Sequence, residues 1–248
     1  MSITEALLDG LEGDAPVGHV LVGAFWTAVV LDLEPIRCGL ASTLRGATHH
    51  HGPPIPEAGS LLECSARELA QWLAAPEPLK ASVGLAAYNA LLDVDEIACD
   101  RVNASQVILG QGAGRRVAVV GHFPFVDAVR EAAEVCWVLE LNPRPGDVPA
   151  DRADELLPQA DVVALTSTSL INHSFDELVN LCRPDSLMIM LGPSTPLSPV
   201  LLDAGVDVLS GTRVVEPELV LRSISEGATF RQIKRRGGLN LLTMRRTV

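Results

Sequence analysis

The chain has 248 residues, room for one large domain or two modest ones, with 48% hydrophobic and 20% charged residues. This is an ordinary globular composition, and no run of about 18 apolar residues marks a transmembrane helix. The formal net charge of −12 argues against nucleic acid or an anionic membrane surface as the main partner.

The first residues, MSITEALLDGLEGDAP, have neither a basic n-region nor an apolar h-region, so no signal peptide is expected and the cytoplasm is the predicted location. Residues 19–23, 25–31 and 37–44 are β-type runs close enough together to form a meander. Residues 46–60 form a Gly/Pro/His loop. Helices are predicted over 66–73 and 81–92, the second rich in small residues and therefore suited to close packing. Strands followed by helices give a smaller α+β domain, assigned to residues 1–110. The composition changes near 110–116, where GQGAG precedes an Arg pair, and a second domain is assigned to 111–248.

In that second part, apolar runs at 117–121, 135–141, 161–166, 186–191 and 206–210 begin 18 to 26 residues apart, the pitch of βα units. They are nearly continuous in Val, Ile, Leu and Met, as expected of parallel strands buried on both faces. Helical stretches separate them. Pro124 suits a first helical position ahead of Val126 and Val129, Arg183-Pro184 stops the helix around Leu178, and Gly205 and Gly227 suit helix ends. A last run at 239–244 adds an edge strand. With right-handed crossovers the fold class is α/β, a Rossmann-like doubly wound parallel sheet.

Ligands of open α/β sheets bind outside the carboxyl ends of the strands. Here those ends carry Gly121-His122, Glu140 and Asn142, Thr166-Ser167-Thr168 with Asn172, Gly192-Pro193-Ser194-Thr195, and Gly211-Thr212 followed by Arg213. Backbone N–H groups and hydroxyls at helix starts suit anions, although the same residues serve as ordinary N-caps. Glu140 lies 19 residues after Gly121, near where a dinucleotide fold places its ribose-binding acid. The glycine fingerprint is missing, however, and Phe123 and Phe125 obstruct NAD in its usual pose. His122 has the chemistry of a general acid–base or a metal ligand, or of a structural hydrogen-bonding histidine.

Other features give alternatives. In an extended His49-His50-His51 run only His49 and His51 face the same side, so they are candidate metal ligands, or part of a solvated loop. Cys38, Cys64, Cys99, Cys136 and Cys182 form no CxxC and read as small buried hydrophobes. No GxSxG, HExxH or GxxxxGK[ST] occurs. After Glu226 there is no acid, whereas Arg231, Lys234, Arg235, Arg236, Arg245 and Arg246 are basic. This segment can dock a neighbouring subunit of a homo-oligomer or an anionic ligand, or can guard an edge strand with charge.

Six stretches, VGAFWTAVVL, SVGLAAYNALL, VAVVGHFPFV, LTSTSLINHSFDELV, LGPSTPLSPVLLDAGVDVLSGTRV and ISEGATFRQI, resemble the heavy-metal chelation family, formerly a domain of unknown function. The resemblance implies an N-terminal domain like that of enolase, a Rossmann-like C-terminal domain, and a site between them. The matched positions are Gly121, His122, Thr166, Thr168, Asn172, Gly192, Ser194, Thr195, Gly211 and Thr212, with Thr27 and Asn89 reaching across. Three functions follow as expectations: binding of a metal ion, metal chelate or small anionic ligand between the domains; an enzyme acting on a small anionic metabolite, in making or modifying a metal chelator; and a scaffold or regulatory partner.

Overall fold

A computed structural model of the protein describes residues 1–46 and 53–246; the His49–His51 run lies outside the described residues. The chain opens with α1 (Ile3–Asp9), capped by Ser2. Ser2 Oγ accepts from the Glu5 N–H while the Glu5 carboxylate accepts from the Ser2 N–H at 2.7 Å, a reciprocal box that satisfies two otherwise orphaned donors. Strands β1 (Val17–Val22), β2 (Trp26–Leu31) and β3 (Arg37–Ser42) pair antiparallel in sequence order. Helices α2 (Ala66–Gln71) and α3 (Pro78–Leu91) follow.

The small residues of α3 have a steric cause. A side chain on Gly39 of β3 would overlap Ala86 O and Ala90 N, and one on Gly84 would overlap the backbone at Trp72 and Leu73. Both glycines let α3 sit directly on its neighbours, against the three-stranded sheet on one side and the chain after α2 on the other.

Helix α4 (Ala104–Gly112) leads into β4 (Arg116–Val120), α5 (Val126–Ala132), β5 (Val135–Glu140), β6 (Val148–Pro149), α6 (Ala153–Leu156) and β7 (Val162–Thr166). Next come α7 (Thr168–Ile171), α8 (Phe175–Leu181), β8 (Leu187–Leu191), α9 (Pro199–Asp203), β9 (Val208–Val214), α10 (Pro217–Ser225), α11 (Phe230–Arg236) and β10 (Leu239–Arg245). The strands form one seven-stranded sheet in the order β10-β9-β8-β7-β4-β5-β6, parallel except for β10 at the edge. The expected α/β fold, a mostly parallel sheet preceded by a small antiparallel one, is the observed one. The apolar runs predicted as buried strands are buried: Val117, Ala118, Val119, Val162, Ala164 and Ile189 have no accessible surface.

Two sequence expectations need correcting. Gly211-Thr212-Arg213 is not a strand end, because β9 continues to Val214 and pairs with β10 from Val208↔Arg245 to Val214↔Leu239. The ladder's hydrogen bonds outweigh the low strand preference of the Ser-Gly pair. Of the basic residues after Glu226, Arg231 to Arg236 belong to a helix, α11, and not to the edge strand β10 that Arg245 ends. Thr229 and Gln232 cap its start, and Lys234, Arg235 and Arg236 lie in its last turn, where cations suit the helix dipole.

The two parts of the chain share one apolar core. Leu31, Leu73, Leu85 and Tyr88 from the first part lie in the same buried cluster as Leu165, Leu170, Phe175, Leu201 and Leu209 from the second. Burying each such side chain is worth about 1.5–3 kcal/mol. Among the described residues, no helix is long and apolar enough to cross a membrane.

Candidate functional site

From β4 the chain moves outward to β5 and β6, then returns to place β7 on the other side of β4. The crevice between the carboxyl ends of β4 and β7 is therefore the topological switch point, where open α/β sheets bind ligands. A cleft of 520 Å³ opens there, within the ~300–1,000 Å³ range of small-ligand pockets. Of the residues singled out in the sequence, Gly121, His122, Glu140, Thr166, Thr168 and Asn172 line it. Gly121 adopts φ +102°, a conformation that favours glycine. Its N–H donates to Leu139 O at 2.9 Å, so the end of β4 is tied beside Glu140.

His122 is held from behind. Its Nδ1 lies 3.0 Å from Asp147 Oδ2, and the Asp147 carboxylate is fully buried. The same carboxylate accepts from Arg130 Nη2 at 2.7 Å and from the Arg144 N–H at 3.1 Å. Burial pushes the Asp147 carboxyl up, but hydrogen bonds from the Arg144 N–H, His122 and Arg130 outweigh it and hold the group below the usual carboxylate range. With Asp147 ionised, Nδ1 carries the proton that bonds it. In that tautomer the ring's lone pair is at Nε2, on the opposite edge. Nε2 makes no hydrogen bond among the described residues, and the imidazole lines the cleft. Asp147 and Arg130 were not legible as site residues. The loop after β5 brings Asp147 between His122 and Arg130, which lies in the last turn of α5.

The cleft has apolar walls from Phe123, Leu139, Leu141, Ala153 and Leu178 and an acidic rim from Glu140, Asp151 and Glu177; among the described residues, no Lys or Arg lines it. Phe123 stacks on Phe125 with ring centroids 5.3 Å apart, which fills the turn after β4 with aromatic rings. Among the described residues, no group of three or more His, Cys, Asp or Glu is arranged to hold a metal ion. Burial raises all five thiols, with Cys38 pushed up to about 12 and Cys136 and Cys182 to about 11, so they stay protonated at neutral pH.

The remaining candidates lie elsewhere, Ser194 and Asn89 in a seam between the two parts of the chain. Ser194, fully buried, accepts from the Ser42 N–H at 2.8 Å through its Oγ. Asn89 Nδ2 donates to both Leu40 O and Ser194 O at 3.0 Å. Thr212 Oγ1 donates to Pro193 O, and buried Thr27 pairs with Thr43 through their hydroxyls. Gly192 fits against Ser167, whose Oγ would be 2.8 Å from an added Cβ, and Gly211 leaves room for Thr195 O. None of these residues lines the switch-point cleft. Asn142 is exposed beside it. His173, between α7 and α8, bonds Ala75 O through Nε2 at 2.8 Å and is a tie to the first part of the chain.

Comparison with known proteins adds two family matches, both described as "Putative heavy-metal chelation": residues 103–243 match DUF364 and residues 4–92 match DUF4213. A DUF364-family protein of unknown function from Desulfitobacterium hafniense superposes with a TM-score of 0.82 at 25% identity, over 98% of this chain and 97% of that one. One from Pyrococcus horikoshii, also of unknown function, gives 0.82 at 19% identity over 98% of each chain. An uncharacterized protein of Methanocaldococcus jannaschii is 24% identical over 147 residues, a match spanning 56% of this chain and 57% of the relative's own length.

Proposed function

The chain belongs to the DUF364 heavy-metal chelation family, and from that premise we propose that its switch-point cleft binds a metal chelate, an ion that arrives within its own small organic ligand. The observation that carries the proposal is the His122–Asp147 pair. A ligating imidazole whose other nitrogen is fixed by a buried carboxylate is the usual second layer of a metal site. A single imidazole does not make a cage, and among the described residues no further ligands complete one. The remaining coordination positions are therefore supplied by the incoming ligand. Glu140, Asp151 and Glu177, with no lining Lys or Arg among the described residues, favour a chelate of neutral or positive charge and weigh against the anionic ligand expected from the hydroxyl-rich turns. The acidic balance of the chain weighs against nucleic acid and supports a small-molecule partner; the cytoplasm is the proposed location.

Isothermal titration of the full chain with nickel(II) and copper(II), bare and as histidine or ethylenediamine chelates, tests this. A chelate should bind with one-to-one stoichiometry, and His122→Ala should weaken it at least ~10-fold. Equal binding by wild type and His122→Ala would overturn the assignment. The same pair also favours a second reading, in which His122 acts as an oriented general base on a small metabolite; turnover of a screened substrate that His122→Ala abolishes without loss of stability would select it.

A further inference from the structure

We infer that the β5 side of the cleft is a subsite for an unphosphorylated nucleoside, with Glu140 receiving the ribose 2′- and 3′-hydroxyls; this rests on the reading of the switch-point cleft as the binding site. Glu140 is the last residue of β5, the strand next to the first strand of the sheet, and Gly121 is bonded to the residue before it. A carboxylate at that place accepts from two vicinal hydroxyls at once. Glu140 is only partly exposed, lines the cleft, and has no hydrogen-bond or ion-pair partner among the described residues. It is free for a ligand. Beside it, Leu139, Leu141, Ala150 and Ala153 line the cleft, and these apolar and small side chains give a flat base a surface to lie on.

The opposite end of such a ligand would reach the turn after β4, and there the chain is built against phosphate. His122-Phe123-Pro124 replaces the glycines that bring backbone N–H groups up to a pyrophosphate. Helix α5 has only seven residues, and its start follows Phe125 with no side-chain cap. Asp151 and Glu177 line the cleft and, among the described residues, no Lys or Arg does, so a 5′-phosphate would be repelled, whereas a neutral or cationic 5′ substituent would be accepted near His122 and Thr168.

Calorimetric titration of the full chain with adenosine, guanosine, cytidine and uridine, with the 2′-deoxy and 5′-phosphorylated form of whichever binds, tests the subsite. At least one nucleoside should bind. Removing its 2′-hydroxyl, adding a 5′-phosphate, or introducing Glu140→Gln should each weaken binding ~10-fold or more, the loss expected for a charge-assisted hydrogen bond. An unchanged thermal midpoint of Glu140→Gln would show that the loss is not unfolding. Failure of all four nucleosides, affinity for the 5′-phosphate equal to or above that for the nucleoside, or an indifferent Glu140→Gln would each overturn the inference. If chelates still bind in a His122-dependent way while nucleosides do not, the subsite alone falls; if neither binds, the cleft itself is wrongly assigned.

Discussion

Replacing Asp147 by asparagine keeps the side-chain volume and removes the charge that orients His122. Three donors converge on that carboxylate, from His122, Arg130 and the Arg144 backbone. Asparagine offers one acceptor oxygen, so its amide nitrogen must face at least one of those donors. Hydrogen bonds to charged groups are worth about 1.5–3 kcal/mol each. His122 and Arg130 keep 21% and 28% of their side-chain surface exposed, and water recovers part of the loss. The expected destabilisation is about 2–3 kcal/mol, read from urea unfolding at pH 7. Because the folded-state value of Asp147 lies below the ordinary carboxylate value of about 3.9, its contribution is present above that value and is lost as pH falls through the lower one. Wild type should therefore lose stability to Asp147→Asn progressively below about pH 4, and the two curves should converge there. Ring nitrogen chemical shifts should report an Nδ1–H tautomer in wild type and a mixture in the variant, with chelate affinity down ~10–100-fold. A stability difference under about 0.5 kcal/mol with an unchanged tautomer would refute the orienting role.

Two other substitutions test the parts of the fold that position the cleft. Gly39→Ala places a Cβ into the backbone of α3, and thermal unfolding should show a loss of about 3 kcal/mol or more; tolerance of alanine would mean that α3 does not pack as close as described. Ser194→Ala leaves the Ser42 N–H without its acceptor and should cost about 1–3 kcal/mol, while titration shows ligand affinity in the switch-point cleft unchanged within about 2-fold. A selective loss of affinity would assign the seam, not the cleft, as the binding site.

The sheet was legible because burial on both faces leaves a mark in one dimension: uninterrupted Val, Ile, Leu and Met at the pitch of βα units. The candidate site was half legible. Gly121, His122, Glu140 and Thr166 meet because the strand ends of a parallel sheet converge by construction. Ser194 and Asn89 carry the same chemistry but spend it on holding β3 and α3 against the turn after β8, and Thr212 ties β9 to that same turn. A hydroxyl that bonds a ligand and one that bonds a neighbouring backbone look alike in sequence. Asp147 could not be found, since its importance comes from burial in a returning loop, 25 residues from His122, with no periodicity to announce it. Helix α11 was missed because its apolar face reduces to Phe230 and Ile233, too little for a recognisable stripe.

The apolar cluster that runs from the three-stranded sheet into the seven-stranded one carries a thermodynamic consequence. Each part leaves an open apolar face that only the other covers, so the expected unfolding is a single cooperative transition, with no state in which one part is native and the other is not. A substitution such as Gly39→Ala, made far from the cleft, would then lower the population of every binding-competent molecule without altering the affinity of those that remain folded. Loss of function in this protein can therefore arise at a distance and show itself in abundance, while the chemistry of the cleft stays intact.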